Sequence, residues 1–229
     1  CRTGDFFFLE QPDAFAQQRL VVDLVSRRLP KSYGYDPLRD IQVITPAKQG
    51  PLGTRELNRL LQGKLNPPER GKGEATLMGR TLREGDKVMQ IRNNYDIIWQ
   101  QPDGTAGTGI FNGDMGIIEM LDPGSKTIQV RFEEKLATYS FENQDQLEHA
   151  YAVTVHKSQG SEFEAVVMPL ERRHPKLHYR NLLYTAVTRA RKLLIMTGQK
   201  ETVYAMVQNN RRTLRYTNQK EMLQEMCDE

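Results

Sequence analysis

The sequence predicts an α/β protein in which both ends of the chain build one layered domain and an all-β domain is inserted between them. Three observations carry this reading. Helical and strand-like segments alternate before residue 66 and again after about residue 145, the punctuation of a parallel sheet with crossover helices. Between them, short apolar runs follow at close spacing, divided by turn signals at Asp103-Gly104, Asn112-Gly113 and Asp122-Pro-Gly-Ser125, as in a small barrel or meander. The two regimes meet at Asn66 to Thr76, a stretch rich in Pro, Gly and charge that reads as a boundary. The expected domains are therefore 1–70 with 146–229, and an insertion over 76–145.

Each element has its own signal. Asp5 to Leu9 is a short apolar strand. From Asp13 to Leu29, Phe15, Leu20, Val21, Leu24, Val25 and Leu29 recur at helical spacing, and Pro30 is expected to stop that helix. Ile41 to Ile44 is a β-branched strand, and Thr54 to Leu65 a helix with Leu57, Leu60, Leu61 and Leu65 on one face. Strands are expected at Lys87–Arg92, Ile110–Phe111, Gly116–Met120, Thr127–Phe132 and Ala137–Phe141, with a glycine-rich hairpin tip over Asp103–Gly109. Gln146 to Ala152 reads as helix, Ala165 to Pro169 as strand, Asn181 to Arg189 as helix, Leu193 to Met196 as strand and Glu201 to Asn209 as helix. The polar tail after Thr217 is read as helical or frayed.

Composition narrows the function classes. A hydrophobic content of 38% with 27% charged residues is that of a soluble globular protein, and no apolar run is long enough to span a bilayer. The two cysteines, Cys1 and Cys227, stand at opposite ends and form neither a disulfide framework nor a metal cluster, which suits a reducing cytoplasm. A formal charge of +3 permits nucleic acid as a partner without arguing for it. Basic residues gather at Arg172-Arg173, Arg189–Lys192 and Arg211-Arg212, runs that most simply form solvated faces. The chain opens on Cys1, not Met, and is expected to be part of a longer protein.

Two segments carry chemistry. In Thr154-Val-His-Lys-Ser-Gln-Gly-Ser-Glu-Phe163, a strand leads into Thr154, His156 and Ser158, whose hydroxyl, imidazole and N–H donors suit phosphate oxygens; the N-terminus of a following helix would add a positive dipole end. Gly160 allows close backbone approach and Glu162 can accept from a ribose hydroxyl. A capped turn around a buried histidine would also account for this composition. In Leu183-Tyr-Thr-Ala-Val-Thr-Arg-Ala-Arg191, Arg189 falls between an apolar helix and a strand, where a rigidly held guanidinium can bind phosphate oxygens as charge shifts during phosphoryl transfer. A salt bridge at a helix C-terminus is the plainer role for Arg189; Arg191 and Lys192 read as surface or packing charges. No G-x-x-x-x-G-K-[ST] loop occurs in the chain, so the phosphate-cradling half of an ATP site is expected on other polypeptide.

These two segments resemble the last motifs of a superfamily 1 helicase, and most of the chain resembles the C-terminal part of its RecD-like (RecD/TraA) branch. Ile41 to Gly53 with Glu56-Leu-Asn58 resembles the segment opening that family's second RecA-like motor domain. Gly85 to Tyr95 and Phe111 to Gly116 resemble its inserted SH3-like β-barrel. The resemblance implies an ATP-driven, 5′-to-3′ single-stranded DNA translocase that separates duplexes at single-strand/double-strand junctions. It implies that Thr154, His156 and Ser158 contact the DNA backbone, that Gly160, Glu162 and Thr188 line the nucleotide, that Arg189 is the arginine finger, and that Thr188 also positions it. Pro46 and Lys48 would approach the interdomain cleft; Lys48 is assigned to the nucleotide, although a lysine there could face DNA or water. Asn93, Asn94 and Tyr95 would help the barrel meet DNA, or in the case of Tyr95 pack the barrel. ATP and Mg²⁺ are the implied cofactors, the Mg²⁺ ligands and Walker lysine lying on an N-terminal RecA-like domain that this chain would partner. Without that domain the chain is expected to be inactive toward ATP. A non-catalytic nucleic-acid- or partner-binding module remains as an alternative, as does a helicase subunit of a recombination nuclease or conjugation protein.

Overall fold

A computed structural model describes residues 4–77, 79–172 and 177–210. Cys1, Cys227, Arg173, Arg211-Arg212 and the tail after Thr217 lie outside the described residues.

Five strands, β1 (Phe6–Glu10), β2 (Ile41–Thr45), β12 (Ala152–Thr154), β13 (Phe163–Pro169) and β14 (Ala190–Gly198), form one sheet in the order β1-β14-β13-β2-β12. Every pairing is parallel. Both faces are covered, which is why its central strands read as continuous apolar runs instead of alternating ones. On one face, Val21 of α1 (Ala14–Asp23) and Leu57 and Leu61 of α3 (Thr54–Leu65) pack on Val43, Ala165, Val167 and Ile195. On the other, Leu182 and Ala186 of α4 (Arg180–Val187) and Met206 of α5 (Lys200–Gln208) pack on Val166, Met168, Leu194 and Met196. Alternate residues of β13 thus feed opposite cores, the period-two signature of a strand buried on both sides. This three-layer arrangement is RecA-like.

The helix that starts at Ala14 does not stop at Pro30. Asp13 caps it by accepting the Ala16 N–H at 2.7 Å, and the chain stays helical through a π-turn, Leu24–Arg28, into α2 (Leu29–Tyr33). The Leu29 N–H reaches back five residues to the Leu24 carbonyl. That wider turn accommodates a proline, which has no N–H to donate and whose ring crowds the carbonyl four residues back. Gly34, at φ +73°, closes the helix in the left-handed region.

The insertion is a seven-stranded antiparallel sheet. Its order is β11-β5-β8-β9-β10-β6-β7, from β5 (Lys87–Gln90), β6 (Asn94–Gln100), β7 (Ala106–Ile110), β8 (Met115–Asp122), β9 (Thr127–Phe132), β10 (Lys135–Ser140) and β11 (Leu147–His149). It encloses its own core of Val88, Ile118, Ile128, Val130, Ala137, Tyr139 and Leu147. A separate hairpin, β3 (Glu74–Leu77) with β4 (Arg80–Arg83), occupies the end of the stretch expected to be linker. The expected helix over Gln146–Ala152 is absent. Leu147–His149 pairs antiparallel with β5 and Ala152–Thr154 parallel with β2, so the chain passes from barrel to motor sheet through only Ala150 and Tyr151. The barrel sheet accordingly runs on to His149, beyond the boundary expected between 145 and 146.

The two domains meet around a buried carboxylate. Asp86 accepts hydrogen bonds from Gln62 Nε2 at 2.7 Å, Asn66 Nδ2 at 2.6 Å, Tyr151 Oη at 2.8 Å and the Arg83 N–H at 2.9 Å, with His149 Nε2 at 3.1 Å. Burial alone would raise its carboxyl; the bonds from His149, Asn66 and Tyr151 outweigh that and hold it below the usual carboxylate range. Its neighbour Lys87 is buried, donating to Gln42 Oε1 at 2.9 Å in the motor sheet, and burial pushes its ammonium down to about 8.

Candidate nucleotide and nucleic-acid site

Because the strands are parallel, the loops that follow β2 and β12 emerge at one edge of the motor sheet, and the segments that precede β13 and β14 lie at the other. The motif from Thr154 to Phe163 therefore crosses the sheet and serves both edges.

At the carboxyl edge, Thr154 ends β12 opposite Thr45 of β2. The loops beyond them, with Pro46, Lys48, Thr154, His156 and Lys157, line an open cleft of about 490 Å³. Thr154 organises the turn: its carbonyl accepts the Ser158 N–H at 3.1 Å and its hydroxyl the Lys157 N–H at 3.4 Å. Ser158 is fully buried and its hydroxyl donates to the Val155 carbonyl at 2.8 Å. It therefore builds the turn and does not face the cleft, contrary to its expected DNA contact. No helix starts after Ser158; residues 155–160 are turn, so the expected dipole end is missing. His156 is exposed, with Nε2 3.5 Å from the Tyr179 hydroxyl. Lys48, expected on the nucleotide, stands here with Thr154 and His156, at the opposite edge from Gly160 and Arg189.

At the amino edge the other residues converge. Phe163 opens β13 beside Ala190 of β14, and the Phe163 N–H donates to the Arg189 carbonyl at 2.9 Å. Arg189 donates from Nε to the Thr185 carbonyl at 3.1 Å, from Nη1 to the Ser161 carbonyl at 2.9 Å and from Nη2 to the Thr188 hydroxyl at 3.2 Å. These acceptors carry no formal charge, so they orient the guanidinium without neutralising it. Thr188 in turn donates to the Thr185 carbonyl at 3.1 Å, which fixes the hydroxyl beside Arg189. Gly160 sits at φ +86° with open space where a Cβ would be. Glu162 is exposed, and its Oε2 lies 3.0 Å from Arg191 Nε. An open glycine backbone, an accessible carboxylate and a preoriented cation have the chemistry to meet one side of a nucleotide: ribose at Glu162, phosphate at Arg189.

The barrel residues find their partners within the barrel. Asn93 Oδ1 accepts the Asn112 N–H at 2.9 Å, and Asn94 Nδ2 donates to Gln146 Oε1 at 3.0 Å. Tyr95, 66% exposed, meets Phe111 edge-to-face with centroids 5.6 Å apart. Three side chains at these sites were given no site role by sequence: Lys157, within the motif; Arg191, read as a surface or packing charge and found on Glu162; and Glu148, on β11, which holds Lys157 Nζ at 2.5 Å. Lys157 and Arg191 carried a sequence signal, their places inside the Thr154–Phe163 and Leu183–Arg191 motifs, whereas Glu148 carried none.

A family profile described as "ATP-dependent RecD-like DNA helicase SH3 domain" matches residues 57–132, and one described as "UvrD-like helicase C-terminal domain" matches residues 149–197. The chain is 35% identical over 158 residues to the ATP-dependent RecD2 DNA helicase of Deinococcus radiodurans, covering 69% of this chain and 20% of that protein. It is 26% identical over 172 residues to the RecBCD enzyme subunit RecD of Buchnera aphidicola, covering 74% and 26%. The chain thus spans about a fifth to a quarter of the length of these relatives. Among solved structures, Pif1 helicase from Bacteroides in complex with ADP-AlF3 and ssDNA aligns with 93% of this chain and 50% of its own, at 16% identity and a TM-score of 0.47. The first profile runs from α3 through β9 of the barrel and the second covers both motor motifs, and with the RecD relatives they place this chain with the C-terminal part of the RecD-like superfamily 1 helicases.

Proposed function

We propose that this chain is the second motor domain, with inserted barrel, of an ATP-dependent 5′-to-3′ DNA helicase that translocates on single-stranded DNA. The observation that carries the proposal is the pairing of Arg189 with the Gly160–Glu162 segment through the 2.9 Å bond to the Ser161 carbonyl. An N-terminal RecA-like domain would supply the phosphate-cradling loop and the Mg²⁺ ligands. ATP bound between the domains would take Glu162 at its ribose and draw the Arg189 guanidinium from neutral carbonyls to the γ-phosphate, where its charge stabilises the transition state. Thr188 holds the arginine in reach.

The opposite edge would grip DNA. Thr154, His156 and Lys48 line the cleft that a phosphate backbone would follow, and ion pairing there gives sequence-tolerant, salt-sensitive binding. The segment 155–162 joins the two edges directly, so closure on nucleotide at one edge would shift the DNA contacts at the other. Alternating closure and opening then becomes stepping. Asn93 and Tyr95 would extend the DNA path over the barrel toward a single-strand/double-strand junction. The cytoplasm is the proposed compartment.

The test is DNA-stimulated ATP hydrolysis by the intact protein that carries this sequence. Arg189→Ala is expected to lower turnover by about 10³-fold or more with DNA binding retained. Unchanged turnover would remove the finger. Strand displacement from 5′-tailed but not 3′-tailed duplexes is the expected polarity, and this chain alone is expected to show no turnover.

A further inference from the structure

The barrel places a carboxylate in the cleft that the proposed function assigns to DNA. Glu148 lies on β11, the barrel strand two residues before the motor strand β12, and its Oε2 is 2.5 Å from Lys157 Nζ. Lys48 and Lys157 flank the same crevice as Glu148 and Thr154. Arg80 is close by, its Nη1 donating to the Leu147 carbonyl at 2.9 Å. Burial raises the Glu148 carboxyl, but Lys157, Arg80 and Lys48 together bring it below its ordinary value, so it is an anion among three cations. Lys157 also lines the adjoining cleft with His156 and Thr154. Its ammonium thus stands between two acceptors: the barrel carboxylate on one side and the proposed backbone path on the other.

We infer that Lys157 is a DNA-phosphate contact and that Glu148 is its resident counter-ion, a stand-in for phosphate that must be exchanged each time the strand is captured. The inference rests on the DNA-binding reading above and sharpens it. When Lys157 turns to a phosphate, the cation released from the DNA is offset by one that the freed Glu148 carboxylate draws from solution, so the net release and with it the salt dependence are suppressed. Glu148 also repels the incoming phosphate. The carboxylate therefore keeps the grip weak enough to let go, as a motor that steps along a strand requires, and it does so from the barrel side of the junction.

The experiment is fluorescence anisotropy of a labelled oligo-dT over a salt series, with this chain as wild type, Glu148→Gln, Lys157→Gln and the double variant. Glu148→Gln is expected to tighten binding about threefold at low salt, the scale of a partly exposed ion pair. It should also steepen the slope of log K against log salt by about 0.7, one phosphate's worth on a single strand. Lys157→Gln should weaken binding, and in that background Glu148→Gln should no longer steepen the slope. A Glu148→Gln protein with wild-type affinity and slope would overturn the inference, as would a slope change that persists without Lys157. Absence of binding by every form, with an unchanged melting temperature, would instead remove the DNA reading on which the inference stands. An intact helicase carrying Glu148→Gln offers an independent readout, with slower DNA-stimulated ATP turnover and tighter DNA binding expected together.

Discussion

The junction between barrel and motor and the two edges of the motor sheet use similar polar residues in opposite ways. At the junction Asp86 and Lys87 are buried and committed: the carboxylate takes four donors plus His149, and the ammonium is held by Gln42. At the edges, Lys48, His156, Gly160 and Glu162 are exposed, and Arg189 rests on neutral acceptors. Buried polar groups of the first kind fix one arrangement, because leaving any of them unpaired costs the full desolvation penalty. Groups of the second kind remain available to a ligand. The barrel is thus secured to the motor by buried, committed contacts, and the exchangeable ones lie at the edges proposed to bind nucleotide and DNA.

Substitutions can break this contrast. The largest effect on stability is expected from Asp86→Asn, which removes the charge that several buried donors share. We expect a loss of about 3 kcal/mol in urea denaturation; a loss under about 1 kcal/mol would mean the junction is not the anchor described. The acid limb follows from the lowered Asp86 carboxyl. Its contribution is present above the ordinary carboxylate value and is lost as pH falls through the lowered folded value, so Asp86→Asn should flatten the acid side of the stability profile.

Lys87 has the opposite sign. With its folded value near 8 and an unfolded value near 10.4, the unfolded chain binds the extra proton between them, so stability rises with pH across that window. About 2 kcal/mol of that rise should disappear in Lys87→Met, read as a shallower slope of unfolding free energy between pH 8 and 10. A slope unchanged by the substitution would place the ammonium in a more solvated setting than its burial implies.

The edges should respond weakly in stability and strongly in function. Gly160→Ala meets no neighbour but forces a side chain to φ +86°, which should cost about 1 kcal/mol. Smaller still, Glu162→Gln releases an exposed ion pair with Arg191 and should change stability by less than about 0.5 kcal/mol. In the intact protein the same change should raise the KM for ATP. A KM at the wild-type level would separate Glu162 from the nucleotide.

What could be read from sequence follows the same division between local and non-local causes. β2, β9 and α3 were legible because β-branched runs and the Leu57/Leu61 stripe are local patterns. The stretch Gln146 to Ala152 misled because Leu147, Ala150 and Tyr151 fall at helical spacing, yet β11 and β12 are made by partners some sixty and a hundred residues away in β5 and β2. β6 was hidden by a polar Asn-Tyr-Asp start and a bulge against β7. Pro30 misled because relief came from the π-turn before it, which leaves no mark in composition. At the site, Arg189, Gly160 and Glu162 could be named from their motifs, whereas the Glu148–Lys157 pair depends on the strand that sequence read as helix. Nor does sequence order show that Thr154 and Glu162 lie at opposite edges of one sheet.

The most direct test of the account compares two variants of the intact protein, Asp86→Asn and Arg189→Ala, each measured for urea unfolding and for DNA-stimulated ATP turnover. The two effects should separate. Arg189→Ala should lose about 10³-fold in turnover at a nearly unchanged unfolding midpoint, and Asp86→Asn should lose stability while the folded fraction, well below its midpoint, still turns over. Arg189→Ala turning over at the wild-type rate, or losing its stability together with its activity, would contradict it.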